Sequence, residues 1–466
     1  MRINNSINHR SLQGFGRLSA VLGLAALHAT AGQPEITLTR IASPDSHVRP
    51  LGNRPSMHNG LVAFYGYRGE LYGEDEVIAV VSLDAPGVFS ILAQDGDPRP
   101  DVPGSVFSYF ANPAIHNGRV VFLGGEFGTL SSTYTARIDD PYTLYNDSGI
   151  NNPVYSHLGV STPASQSGVA FIDSTNTTHF LGLRNTPLPC GTGTFGFENI
   201  NGFQHVPQGG DYLIWPARVN TLEYDSNAVV AFHAPAGQLN CVATGLDTIP
   251  IFGGPFGYFS YADTDGQDAV FIGYEPTVSF DRFQGVYLRD LSGTGEITRV
   301  IDTDMDAPDV VGSFGPINHV TFDDHLIIIE ACAGGSGGCA EYGFFGCFLE
   351  NGQPGEVFKI LTTADRIDGR VIGDLTMSPA GRDGNQFVFD VRHNVQDASV
   401  YVATITRASA GCIPDLTGDG VLDFFDVSAF LSAYNSMSAP ADYTGDGVFN
   451  FFDVSAFLNA FNAGCP

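Results

Sequence analysis

Between residues 36 and 406 apolar residues fall into short runs of Val, Ile and Phe, separated by turns rich in Gly, Asn and Asp. The landmarks are Gly60–Phe64, Gly118–Phe122, Gly168–Phe171, Asp211–Trp215, Asp268–Phe271, Asp324–Ile329 and Asn385–Phe389. Each run is too short for a helix, and its β-branched and aromatic content predicts a strand. Each landmark is read as the first strand of a unit, with two more strands and a long Asp/Pro/Gly loop after it. Spacings of roughly 40 to 60 residues predict a repeat, and four strands in that length is the arithmetic of a β-propeller blade.

The two ends of this region sharpen the expectation. The last unit runs from Phe387 through Ser399–Ile405 and then lacks an outer strand. Glu35–Ile41 matches the outer strand Glu296–Ile301 of the fifth unit, so it is expected to complete the seventh blade. That closure hides a sheet edge that would otherwise pair with other chains. The rival arrangements are an open β-solenoid or two sandwiches. The predicted fold is therefore mostly β, a seven-bladed propeller over residues 36–406, followed by a small helical domain.

A different pattern begins after the linker Arg407–Gly411. In 424–431 and 451–458 the octapeptide Phe-Phe-Asp-Val-Ser-Ala-Phe-Leu occurs twice. Phe424, Val427, Phe430, Leu431 and Tyr434 form one helical stripe, and Phe451, Val454, Phe457, Leu458 and Phe461 repeat it. These stripes are expected to pack together. Phe425 and Phe452 fall on the opposite side and are candidate partner contacts, with packing against the β region as the other reading.

Each helix follows a twelve-residue loop with oxygen side chains at positions 1, 3, 5, 9 and 12 and glycine at position 6. The first loop offers Asp415, Thr417, Asp419, Asp423 and Asp426 with the Val421 carbonyl. The second offers Asp442, Thr444, Asp446, Asn450 and Asp453 with the Val448 carbonyl. Gly420 and Gly447 permit the bend at position 6. This is the ligand spacing of an EF-hand-type loop, so two calcium ions are expected, the first bound more tightly because its loop holds four carboxylates. Flexible all-oxygen loops favour calcium over magnesium.

A 55-residue domain buries little apolar area and needs staples. Calcium is one. Cys412 and Cys465, each preceded by glycine at the two ends of the module, are the expected second; closing such a loop stabilises by about 4 kcal/mol. The duplicated loop and helix, with loop starts 27 residues apart, resembles a dockerin domain, and the bracketing Gly-Cys pairs resemble the GC-type variant. That resemblance covers 412–466 and implies attachment to a cohesin-like surface protein. The usual recognition positions, 10 and 11, are commonly small and hydroxylated, whereas here they are Phe424-Phe425 and Phe451-Phe452. The repeat units resemble those of secreted bacterial propeller proteins, best at Asn59–Phe64; Asn117–Phe122 has Val121 where the first unit has Ala63.

Composition narrows the function classes. The formal net charge is −29 and Lys359 is the only lysine, so a polyanionic partner such as nucleic acid is disfavoured. Arg2, His9, Arg10 and Arg17 precede the apolar run Leu18–Leu27, and Ala29-Thr30-Ala31 offers a cleavage site, which together read as a signal peptide over 1–31. No run reaches the length of a spanning helix, so a secreted protein, extracellular or at the cell surface, is expected, and disulfides are permitted there. Among Cys332, Cys339 and Cys347 one bridge and one spare thiol are expected, while Cys190 and Cys241, read as outer-strand residues of units three and four, are a second candidate pair.

Catalytic signals are weak. Gly334–Gly338 matches a nucleophile elbow without its helix, and Gly191–Gly196 matches a phosphate loop without its helix. His58-Asn59-Gly60 and His116-Asn117-Gly118 read as hairpin turns, and the Asp302/Asp304/Asp306/Asp309 and Asp263/Asp265/Asp268 groups as acidic turns. Trp215 is the only tryptophan, which disfavours a stacked sugar platform. The expectation is a calcium-dependent, dockerin-anchored binding or display protein. The alternatives are a polysaccharide-degrading enzyme, either glycoside hydrolase or lyase, and a structural cell-surface component.

Overall fold

The computed structural model describes Ala25–Ala26 and the chain from residue 34 onward, apart from 52–53, 70–73, 101, 117, 127–131, 138–139, 147–168, 173–177, 182–184, 191–192, 196–207, 221–226, 277–282, 335–338, 395–396, 408–413, 418–421, 445–447 and 464–466. Apart from Ala25–Ala26, the expected signal peptide lies outside the described residues, as do both Cys412 and Cys465.

The protein is mostly β. Numbered by chain order, sheet one spans 49–94, sheet two 109–146, sheet three 169–181, sheet four 194–244, sheet five 258–302, sheet six 314–362 and sheet seven 374–406, with a two-stranded ribbon of Arg366–Ile367 and Arg370–Val371 between the last two. Adjacent strands are antiparallel throughout. Sheet three shows two paired strands among the described residues, Val169–Ile172 and Thr178–Leu181.

The N-terminal strand behaves as its sequence predicts. Glu35–Ala42 pairs antiparallel with Asp397–Thr406, from Glu35 opposite Thr406 to Ala42 opposite Val400, and adds the fourth long strand of sheet seven, with Ala25–Ala26 paired along its other edge. Ile36, Leu38 and Ile41 are buried by that pairing.

The landmark runs are second strands rather than first ones. Leu61–Tyr67 follows Ser56–His58, Asp268–Tyr274 follows Tyr258–Thr264, and Leu326–Ala333 follows Phe314–Asp323. The true first strands escape an apolar pattern because they mix Tyr, Ser, His, Thr and Asp and are broken by register shifts, as between Ser260 and Ala262 or Ile317 and His319. A bulge moves side chains to the wrong parity for a period-two signal.

Sheets pack face to face on apolar layers. Sheet five meets sheet six through Ile272, Val286, Val320 and Ile329, and sheet six meets sheet seven through Ile328, Phe344, Phe387 and Phe389. Sheet seven meets sheet one through Val388, Val400, Val62 and Phe64, and sheet one meets sheet two through Ala63, Ile78, Phe110 and Phe122. Sheet four meets sheet five through Val229, Ala231, Phe259 and Phe271. Trp215, 1% exposed, fills the layer shared by sheets three and four.

The loops that lead into four of the sheets share one device. Phe107, Phe195, Phe256 and Phe314 are buried, and each donates its N–H to a carbonyl near the start of its loop, at 2.9, 2.9, 3.2 and 2.9 Å. The aromatic ring is thereby plugged between two sheets where the chain crosses from one to the next.

Side-chain acceptors then tie each sheet to its neighbour's backbone. Asp263 Oδ2 of sheet five accepts from Phe322 N at 2.8 Å and Thr321 Oγ1 at 2.6 Å in sheet six. Asp323 of sheet six accepts from Gly384 N at 2.7 Å, and Asp383 of sheet seven from Gly60 N at 3.1 Å. Ser56 Oγ of sheet one accepts from Ile115 N at 3.0 Å in sheet two. The acidic turn at Asp263 is thus a structural clasp. The His58-Asn59-Gly60 turn is the tight hairpin expected, with φ of 50° at Asn59 and 68° at Gly60, values that Asn and Gly tolerate best.

Two disulfides are present among the described residues. Cys332–Cys339 forms with Cys347 left free and buried, as anticipated. Cys190–Cys241 also forms, but Cys190 belongs to the loop entering sheet four and not to an outer strand of the third unit. The bridge therefore ties that entry loop to the outer strand Gln238–Thr244.

After Arg407 the chain turns helical, with α1 over Phe424–Asn435 and α2 over Phe451–Ala463. No helix among the described residues is long and apolar enough to cross a membrane.

Candidate functional site

In the tail the two loops close in the same way. Asp426 Oδ1 accepts from Thr417 N at 3.0 Å and Thr417 Oγ1 at 3.0 Å, and its Oδ2 accepts from Asp423 N at 2.9 Å. Asp453 accepts from Thr444 N, Thr444 Oγ1 and Asn450 N at 3.0, 2.9 and 2.9 Å. Position 12 is therefore drawn onto position 3, and Thr417 Oγ1 lies 3.2 Å from Asp415 Oδ1 at position 1. Hydrogen bonds, the one from Asp423 N foremost, hold the Asp426 carboxyl below its ordinary range; Asn450 N does the same for Asp453.

Position 9 also starts each helix. Asp423 Oδ1 accepts from Phe425 N and Asn450 Oδ1 from Phe452 N, both at 2.7 Å, the N-cap geometry that satisfies a free helix N–H. Asn450 Nδ2 donates to the Val448 carbonyl at 3.1 Å. Asp442 is described at the start of the second loop. Asp419, Val421 and Asp446, with Gly420 and Gly447, lie outside the described residues. Among the described residues no group of three or more His, Cys, Asp or Glu is placed to hold a metal. What is described fits a hard cation in one respect: the oxygens at positions 1, 3 and 12 of the first loop are already gathered at one point.

The helical stripe is narrower than its pattern predicts. Phe430 and Phe457 are buried with Ala441, and Val427, Tyr434, Val454 and Phe461 pack on them. Phe424 and Phe451, each 75% exposed, together with Leu431 and Leu458, stand outside that core. At 100° per residue they lie well to one side of the line through 427, 430 and 434. Phe425 and Phe452 are exposed as expected, so both members of each Phe-Phe pair face outward.

A second polar group, which the sequence did not single out, lies in the β region. Glu330 Oε1 accepts from Tyr342 OH, Glu330 Oε2 accepts from Met377 N of sheet seven at 2.9 Å, and Asn318 Nδ2 donates to Tyr342 OH at 3.0 Å. Glu330 is the cross-strand partner of His319. Asp390, cross-strand from Thr376, accepts from Arg54 N of sheet one and so repeats the role of Glu330 one sheet further on. Burial pushes the Asp390 carboxyl up to about 7 and the His319 imidazole down to about 3. Glu330 is also raised by burial, against the opposing pull of Tyr342, Met377 N and the Arg54 charge. No spacing could have found this group, because its members come from separate strands of sheets six and seven and from the segment around Arg54; the only hint was His and Glu at strand positions where apolar residues are usual.

No protein-family model and no curated protein matches the sequence. Among solved structures the chain is similar to the β-propeller domain of the trilobed protease from Pyrococcus furiosus, at 10% identity and a TM-score of 0.44 over 75% of this chain and 94% of that one. It is also similar to an oligogalacturonate lyase in complex with manganese, at 11% identity and a TM-score of 0.42 over 83% and 97% of the two chains. A Pyrococcus horikoshii acylaminoacyl peptidase follows at 12% identity and a TM-score of 0.40, over 73% of this chain and 48% of that one. These likenesses concern the β-propeller arrangement, and no residue role passes from them to this chain.

Proposed function

We propose that the protein is an exported propeller of seven blades, closed by its N-terminal strand, that binds or displays a ligand and is attached to a surface partner through its tail. The observation that carries the attachment is the matched closure of the two tail loops, Thr417 on Asp426 and Thr444 on Asp453. Two calcium ions would be held by Asp415, Thr417, Asp419, Val421, Asp423 and Asp426 and by Asp442, Thr444, Asp446, Val448, Asn450 and Asp453. Each ion would supply the positive charge that lets these carboxylates stand together. Phe425 and Phe452, repeated on the two helices and exposed, would bury against a cohesin-like protein, with aromatic anchors in place of the hydroxyls of cellulosomal dockerins. The test is capture of surface proteins on the immobilised full chain. Capture that needs calcium and is lost on F425S/F452S supports the reading, whereas capture indifferent to both defeats it.

A second reading, a carbohydrate-active hydrolase or lyase, is favoured by one observation. Glu330 and Asp390 are two acids with raised pKa values on equivalent strands of adjacent sheets, and such groups suit proton transfer near neutral pH. Release of reducing ends or unsaturated sugars from a polysaccharide panel by the purified chain, abolished in E330Q, would establish it over the display reading.

A further inference from the structure

Sheets five, six, seven and one send polar side chains toward one another. Tyr261 of sheet five meets the His319 ring of sheet six edge to face, with centroids 4.5 Å apart. Tyr261 sits in the register shift of its strand with φ of +42°, a left-handed conformation that a tyrosine rarely adopts and that sets its ring apart from the regular ladder. Arg54, with φ of +47°, donates its N–H to Asp390 of sheet seven, while its charge acts on both His319 and Glu330 of sheet six.

Within this group the polar inventory does not close. Neither ring nitrogen of His319 nor Oδ2 of Asp390 has a hydrogen-bond partner among the described residues, although His319 is 3% and Asp390 2% exposed. A buried polar atom left unpaired forfeits the hydration it had in the unfolded chain and destabilises the fold. Packing alone would be better served by an apolar residue at 319, and Arg54 N needs an acceptor from Asp390 but not both of its oxygens, so stability does not account for His319 or for Asp390 Oδ2.

We propose that Arg54, Tyr261, His319 and Asp390 form a binding site for a neutral polyhydroxylated ligand, a sugar residue of a glycan. This names the ligand class for the display reading above and rests on it. A metal ion is disfavoured because a guanidinium stands in the site and no metal-holding group occurs among the described residues. An anion is disfavoured by the net charge of −29 and by Glu330, Asp374 and Asp390, which outnumber Arg54 and Arg392 there. Hydroxyls, which donate and accept at once, match a neutral imidazole with one donor and one acceptor nitrogen, a carboxyl oxygen and the guanidinium donors. The half-buried Tyr261 ring supplies an apolar face for ring C–H groups, and it must turn aside for a ligand to reach the sealed His319 nitrogens.

The experiment is saturation-transfer NMR and calorimetry on the calcium-loaded full chain with cellohexaose, xylohexaose, mannohexaose and laminarihexaose, against trigalacturonate as the acidic comparison. At least one neutral hexaose is expected to bind, and Arg54→Ala and His319→Phe are each expected to weaken it tenfold or more with the melting temperature retained. Arg54→Lys and His319→Asn take their place if either variant does not fold. Silence from all four neutral sugars, binding of trigalacturonate alone, or binding unchanged in the variants would overturn the site. Calcium-dependent capture by the tail is a separate readout, so a silent sugar panel beside intact capture defeats this inference and leaves the attachment standing.

Discussion

Phe430 and Phe457, the same residue of the two octapeptide copies, stack with ring centroids 4.1 Å apart and planes 5° apart. Tyr443 meets both rings edge-on, at 6.2 and 5.6 Å. The tail therefore has its core where its two halves meet, and each half lacks a core of its own. Truncating a buried Phe to Ala costs about 3–5 kcal/mol, a large share of what a module of this size can hold. Phe457→Ala is expected to unfold α1 and α2 together and to weaken calcium binding at both loops, read by calorimetric titration of the full chain. Loss confined to the second loop would show that the halves are independent.

The strand Glu35–Ala42 joins a sheet whose three long strands come from the far end of the β region. Its removal uncovers the backbone of Asp397–Thr406 and the side chains of Ile36, Leu38 and Ile41 lose their seats. An uncovered edge strand invites pairing between chains. Leu38→Asp is expected to lower the melting temperature by several degrees and to raise light scattering at a concentration where the parent chain stays dispersed. A melting temperature within a degree of the parent's would mean that this strand contributes no cohesion.

What the sequence revealed follows from how local each signal is. Strands such as Leu326–Ala333, buried on both faces along their whole length, appear as unbroken apolar runs. The helix repeat and the loop oxygens are legible because twelve contiguous residues carry the whole pattern. The first strands were invisible for the opposite reason: at Asn318-His319 and Tyr261 a register shift interrupts alternation, and the polar residues there meet side chains from other strands, Tyr342 for Asn318 and Tyr261 for His319. The plug residues Phe107, Phe195, Phe256 and Phe314 do recur, after a loop opened by a turn, and could have been found by aligning the loops instead of the strands. The cluster around His319 could not, since its only definition is spatial.

Cys190 and Cys241 are 51 residues apart and bridge the entry loop of sheet four to its outer strand. In the chain-entropy model a loop of that length contributes about 4 kcal/mol. C190S/C241S is expected to lose roughly that amount in denaturant unfolding, with proteolysis appearing first near residues 185–195. The Cys332–Cys339 loop is far shorter, with a separation of 7, so C332S/C339S is expected to cost less. An equal loss from both pairs would argue against a chain-entropy origin.

Asp263 and Asp390 give the β region a pH dependence whose sign is fixed by their burial. Desolvation pushes both carboxyls up to about 7 in the folded chain, against the hydrogen bonds from Thr321 and Phe322 N in the first case and from Arg54 N in the second. Asp390 is also faced by Arg392, which favours its charge, and by Asp374, which opposes it. The folded chain therefore holds these protons more tightly than the unfolded one. Their contribution to stability is complete below the carboxyl pKa of the unfolded chain and is lost as pH rises through about 7. With calcium held saturating, the unfolding midpoint of the β region should fall between pH 5 and pH 8. Asp390→Asn removes one of the two ionisations while keeping an acceptor for Arg54 N, so its midpoint should fall less steeply and exceed the parent's at pH 8. If the variant and the parent keep a constant difference across that range, Asp390 is not the group that titrates.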